Sequence, residues 1–108
     1  MSVYVVAEVE VNDESWIPEY AKKVHNIVDH YGGKYLARSA NIVDLEGQSL
    51  PATLMAILEF PDAASVEAFA TSAEYAPFAT ARQAGTVSRL RMIDGTDVAG
   101  TIPYLEKG

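Results

Sequence analysis

A chain of 108 residues with a formal net charge of -7 and no cysteine is one domain with a modest core, near the size at which a partner subunit helps. The acidic balance excludes sequence-independent nucleic-acid binding, which needs a basic footprint, and argues against anionic membrane surfaces. Without cysteine there is no disulfide framework, thiol nucleophile or thiolate metal site, and the cytoplasm is the default compartment.

The opening residues, Met1 to Glu8, lack a basic start and meet an acid early, so they read as a first strand and not as a signal peptide. No segment approaches the ~18 apolar residues of a bilayer span. The first strand is predicted from about Val3 to Val11, with Val3, Val5, Ala7, Val9 and Val11 on one face. Tyr4, Val6, Glu8 and Glu10 form the other face. Asn12 to Ser15 then supply N-cap candidates, and Pro18 is tolerable only in a helix's first turn. Trp16, Ile17, Tyr20, Val24, Ile27, Val28 and Tyr31 fall within an arc of roughly 120°, the width of a helix face lying on a sheet. Gly32 is the natural left-handed terminator.

A second strand is predicted from about Lys34 to Leu45, then a connection Glu46-Gly47-Gln48-Ser49-Leu50-Pro51, then a third strand from Ala52 to Phe60. Leu54, Ala56, Leu58 and Phe60 share one face of that strand; Met55 and Ile57 share the other. Asp62 caps a second helix with Ala63, Val66, Phe69 and Ala70 inward, ending near Ser72. Pro77 suits the start of a further helical segment reaching Ala84. A fourth strand is predicted from Thr86 to Asp94. The single domain is expected over residues 1–95, followed by a C-terminal extension over 96–108.

The order β-α-β-β-α-β is the ferredoxin-like split pair of βαβ units, an α+β fold. Right-handed crossovers give a four-stranded antiparallel sheet of order 4-1-3-2 with both helices on one face. The central strands are apolar, wholly or in part, on both faces. The uncovered side needs another cover, and a second copy packed sheet to sheet is the economical one. A homodimer is therefore expected.

Tyr31-Gly32-Gly33-Lys34-Tyr35-Leu36-Ala37-Arg38, Leu45-Glu46-Gly47 and Glu59-Phe60-Pro61 are followed by Ser72-Ala73-Glu74-Tyr75, Arg82, Arg89 and Asp94-Gly95. In this order and spacing they resemble an uncharacterised, largely bacterial family, domain of unknown function 1330, of the dimeric α+β barrel superfamily. The resemblance spans roughly Val3 to Gly95. It implies a homodimer with a cleft between sheet and helices, and no established activity. Related proteins of the superfamily include cofactor-independent oxygenases, isomerases and polyketide cyclases, so an enzyme is implied by analogy alone. Leu50-Pro51-Ala52-Thr53 lacks the basic residue expected near the start of strand three. The extension past Gly95 is longer than usual; Ile102, Tyr104 and Leu105 either dock on the partner or belong to a frayed tail.

The arginines, Arg38, Arg82, Arg89 and Arg91, lie in or beside strands two and four. Arg38 is expected on the face of Leu36, Ala40 and Ile42, where a charge must be paired or solvated. It either pairs with Glu46, Glu59 or a partner's acid, or forks a ligand's carboxylate or enolate oxygen. Arg89 lies at the opposite sheet edge, about 14 Å away at three strand spacings, too far to share a small anion with Arg38. Glu46 is either a solvated turn acid or a general base at the cleft mouth. Arg82 has the same choice between ion pair and ligand. His25 and His30 are about 140° apart around a helix, so they do not share a metal. His30 lies near the edge of the apolar arc and is either a surface residue or a proton shuttle in the cleft. Tyr20, Tyr31, Tyr35, Tyr75 and Phe78 are candidates to line a pocket, with Tyr20 and Tyr31 read as core.

Charge placement and the family analogy together lead to a cytoplasmic homodimer that binds a small anionic or carbonyl-bearing organic molecule. The expected reaction is proton transfer, isomerisation or cofactor-independent monooxygenation, with Arg38, Glu46 and His30 as catalytic candidates. Arg38, Arg82, Arg89, Tyr35 and Tyr75 are the expected ligand contacts. Neither metal nor cofactor is expected, nor is nucleic acid or membrane a partner. The competing reading is a noncatalytic binding or assembly module.

Overall fold

The computed structural model describes residues 1–48 and 51–107. Its elements are β1 (Val3–Val11), α1 (Ile17–His30), β2 (Lys34–Ser39), β3 (Leu54–Phe60), α2 (Ala63–Ala70), α3 (Ala76–Gly85) and β4 (Thr86–Asp94). The strands form one antiparallel sheet of order β2-β3-β1-β4, the predicted ferredoxin-like arrangement read from the other edge. Among the described residues no helix is long and apolar enough to cross a membrane.

The alternation along β1 places Val3, Val5, Ala7 and Val9 in the core. Beside them β3 contributes Leu58 and Phe60, and α1 contributes Val24, Ile27 and Val28. Burying such side chains contributes roughly 1.5–3 kcal/mol each, which is why α1 lies flat on the sheet. Gly32 ends α1 at a φ of 81°, a conformation that costs a side-chain-bearing residue energy. Gly33 lies directly against the core, where a Cβ would come within 2.5 Å of the Phe60 ring.

Local chemistry explains the other boundaries. Asp62 Oδ1 accepts from the Ser65 amide at 2.7 Å and caps α2 as expected. The same helix turns a narrower face inward than predicted: Val66 and Phe69 pack on the core while Ala63 and Ala70 are exposed. No side chain caps α1. The Asn12 and Asp13 amides instead both donate to the Gly85 carbonyl, at 2.9 and 3.0 Å, tying this loop to the α3–β4 junction. Thr53 closes β1: its hydroxyl accepts from the Val11 amide at 3.0 Å and donates to the Val9 carbonyl.

β2 corrects the prediction. It stops at Ser39, not Leu45, because its partner β3 begins only at Leu54 and Ser39 already pairs with Met55. Beyond that point no strand among the described residues supplies hydrogen bonds, and Val43 and Leu45 stand exposed. The predicted connection includes Ser49 and Leu50, which lie outside the described residues, as does Gly108 at the end of the extension.

The register of β2 is interrupted. Tyr35 pairs with Leu58 and Ala37 with Ile57, so Leu36 is an extra residue at a bulge. Simple alternation would place Arg38 with Leu36 on one face. The bulge instead gives Arg38 and Tyr35 the same face, the one beneath the helices. On the opposite face of the sheet, Ile57, Val87 and Ile93 are exposed.

Candidate functional site

Between the sheet and the three helices lies a cavity of about 380 Å³, within the usual range for small-molecule sites. β1 and β3 supply an apolar floor of Val5, Ala7, Leu54 and Leu58. The walls are aromatic and the charges are guanidinium groups.

The wall is built by ring contacts. Trp16 meets Tyr20 edge to face at a centroid distance of 5.1 Å, and Phe69 meets Tyr75 at 4.3 Å. Ser72 sets the second contact: its hydroxyl donates to the Phe69 carbonyl and accepts from the Tyr75 amide, so the turn between α2 and α3 delivers Tyr75 inward. The phenols of Tyr20 and Tyr75 then share a hydrogen bond of 2.6 Å. Burial, reinforced by Tyr75, holds the Tyr20 phenol far above its ordinary pKa. Tyr35 is also raised by burial, with Arg38 pulling the other way. The Trp16 indole edge packs on Gly85, where a Cβ would lie 2.7 Å from Nε1, and that nitrogen is buried without a hydrogen-bond partner.

Arg82, on α3, is only 8% exposed. Burial works against its charge, but the oxygens of Tyr75 and Tyr20 outweigh that effect and its pKa is raised overall. Arg82 Nε is nevertheless buried with no hydrogen-bond partner. Arg38, which also lines the cavity, is exposed and stands over the Tyr35 ring. Among the described residues the ion pairs are Lys23–Glu19, His30–Glu74 and Lys34–Glu59. Among the described residues neither Arg38 nor Arg82 has a carboxylate partner, and Glu59, one expected partner of Arg38, is taken by Lys34.

Of the residues singled out from the sequence, Arg38, Arg82, Tyr35 and Tyr75 come together at this cavity. Five others do not, of which Tyr31 and Phe78 pack against the core instead. Arg89 is on the opposite face of the sheet, paired in register with Glu8, because alternation along β4 turns it away from the helices. His30 is at the exposed end of α1, with Nδ1 3.4 Å from Glu74 Oε1 and its ring stacked on Tyr31. It does not enter the cleft, since its place on the helix is past the edge of the inward face. Glu46 is exposed in the loop after β2, which leaves the sheet at Ser39 and carries the acid away from the cavity. Tyr20, a candidate to line the pocket that was read as core, lines the cavity, as does Gln83, which sequence reasoning omitted. For Tyr20 a signal existed: a phenol on an inward face needs a hydrogen-bond partner.

Residues 2–96 match the family model described as Domain of unknown function (DUF1330). Among curated proteins nothing matches. Of solved structures, a protein of unknown function from Rhodopseudomonas palustris is similar at 18% identity, with 89% of this chain and 83% of that chain covered and a TM-score of 0.72. SnoaB, a cofactor-independent oxygenase from Streptomyces nogalater, is similar at 13% identity over 89% and 94%, with a TM-score of 0.63. A dimeric ferredoxin-like protein of unknown function from Jannaschia sp. is similar at 14% identity over 87% and 99%, with a TM-score of 0.61. At these identities the likeness concerns the fold.

Proposed function

The chain belongs to the family of Domain of unknown function 1330, and from that premise we propose that it acts as a homodimer binding a small organic anion between sheet and helices. One observation carries the reading: among the described residues, Arg82 is buried beside an apolar, aromatic cavity with no carboxylate to balance it and with Nε unpaired. The phenol oxygens of Tyr20 and Tyr75 hold this guanidinium without pairing its charge, which leaves it open to an anion. A carboxylate or enolate oxygen suits a guanidinium best. Arg38, exposed and held on Tyr35, adds a second positive charge to the same space.

Two finer readings differ in what happens next. In the enzymatic one, the guanidinium groups stabilise negative charge developing on a substrate oxygen, and the phenols of Tyr20, Tyr35 and Tyr75 hold or pass protons. Cofactor-independent chemistry of the kind named for SnoaB belongs to this reading. The noncatalytic reading has a specific observation in its favour: no carboxylate or imidazole lines the cavity among the described residues, so the usual general bases lie elsewhere.

The dimer is part of the proposal. The exposed side chains of Ile57, Val87 and Ile93 on the uncovered sheet face support it, as does the dimeric Jannaschia protein of like fold. We take residues 1–95 as the domain. The extension turns back through an Ile102–Leu105 bridge, and its exposed Tyr104 and Leu105 are proposed to rest on the partner. A cytoplasmic location accords with the cysteine-free sequence.

The test is a mass spectrum of the purified protein under native and then denaturing conditions. A dimer that releases a small organic acid supports the reading. A monomer, or a dimer that releases a cationic molecule, overturns it.

A further inference from the structure

Arg82 borders two recesses. On one side is the apolar cavity; on the other is an open polar groove along the start of β4, lined by Arg82, Gln83, Thr86, Ser88 and Leu90. Both recesses lie on the helix side of the sheet, so one ligand can occupy them together with Arg82 at the junction.

The hydrogen bonds of the groove determine what it can offer. The Thr86 hydroxyl donates to the Arg82 carbonyl at 2.7 Å, and the same hydroxyl shares a second hydrogen bond with Ser88 Oγ. A hydroxyl carries one proton. Thr86 has committed its proton to the carbonyl, so Ser88 is the donor in the second bond. Ser88 Oγ is left with lone pairs only and can receive a donor but not give one. Arg82 is the reverse, a group with donors and no acceptor, and its Nε is buried without a partner.

We propose that the polar head of the ligand is a hydroxy acid, resting on the anion-binding reading above. Its carboxylate meets Arg82, its hydroxyl donates to Ser88 Oγ, and its apolar body fills the aromatic cavity. An ammonium group would also satisfy Ser88, but it would bring a second cation up to Arg82 and be repelled. The groove thereby separates hydroxy acids from amino acids of the same shape.

Calorimetric titration of the purified protein with mandelate, its O-methyl ether, phenylacetate and phenylglycine tests this. Mandelate is expected to bind about tenfold more tightly than the ether or phenylacetate, the worth of one hydrogen bond in a site of this kind, and phenylglycine more weakly still. Ser88→Ala is expected to erase mandelate's advantage over the ether, and Ser88→Thr, which keeps the acceptor, to restore it. If mandelate and its ether bind alike, or the ratio survives Ser88→Ala, the hydroxy-acid assignment is wrong while anion binding stands. If none of the carboxylates binds, the anion-binding reading fails and takes this inference with it.

Discussion

Arg38 stands over the ring of Tyr35, its guanidinium carbon 4.1 Å from the ring centroid. The residues are three apart on one strand, a spacing that regular pleating sends to opposite faces. The bulge at Leu36 makes the contact possible and turns both groups toward the cavity. An exposed cation–π contact contributes about 0.5–1 kcal/mol, so Arg38→Ala should lower the melting temperature only slightly. Affinity for an aromatic carboxylate should fall about tenfold with the lost charge. Titration calorimetry beside a thermal melt separates the two effects; a large melting shift with unchanged affinity would make Arg38 structural.

Arg82 should count for stability as well as for binding. The oxygens of Tyr75 and Tyr20 support its buried charge in the empty protein, and an apolar side chain of similar volume would leave those phenols without it. Arg82→Leu is expected to lower stability by about 1–3 kcal/mol in urea unfolding and to abolish anion binding. A variant that gains stability would show that the phenols do not satisfy the guanidinium.

The hydrogen bond between Tyr20 and Tyr75 invites a double-mutant cycle. Each single change to Phe leaves one buried phenol with its partner gone and should cost about 1–3 kcal/mol. The double change should cost clearly less than the sum, since no phenol of the pair remains to be satisfied. Strict additivity in denaturant unfolding would mean that the two phenols do not interact in solution.

Alkaline pH should unfold the protein through its buried phenols. Tyr20 and Tyr35 have folded-state pKa values raised by burial. A raised pKa means that the folded state keeps protons that the unfolded state releases, so their contribution is fully present below the unfolded value of about 10 and is lost as pH rises through the folded values. Stability should therefore decline above about pH 10. The phenolate absorbance of these two tyrosines should appear only as the far-ultraviolet circular dichroism is lost. Early titration of all the tyrosines in a still-folded chain would contradict the burial.

The uncovered sheet face predicts a measurable assembly state. Ile57, Val87 and Ile93 are 37%, 57% and 62% exposed, and a stable interface would cover them with about 800 Å² from each subunit. Light scattering after size exclusion should report a dimer at micromolar concentration, and Ile57→Asp a monomer. A monomeric parent protein would leave that face without an explanation.

Much of the architecture was legible because it is governed by neighbours in the chain. The alternation from Val3 to Val9, the left-handed requirement at Gly32 and the Asp62 cap each act over a few residues, and the chirality of crossovers sets the strand order. The site was less so. Arg82 and Tyr75 could be named as candidates, but nothing local foretold that Tyr20 would bond to Tyr75 across 55 positions. Glu46 and His30 have the chemistry of a general base, and the structure places both away from the cavity.

By itself the sequence determined the elements, their order in the sheet and which helix face is buried, since backbone sterics and apolar periodicity are local properties. Only the tertiary structure decided that β2 ends at Ser39, that Leu36 bulges and reverses the facing of Arg38, and that Arg82 is buried without an acid. Those outcomes depend on where a partner strand ends and on which groups meet across the core. A one-dimensional pattern does not carry that information, because a single extra residue in a strand exchanges its two faces.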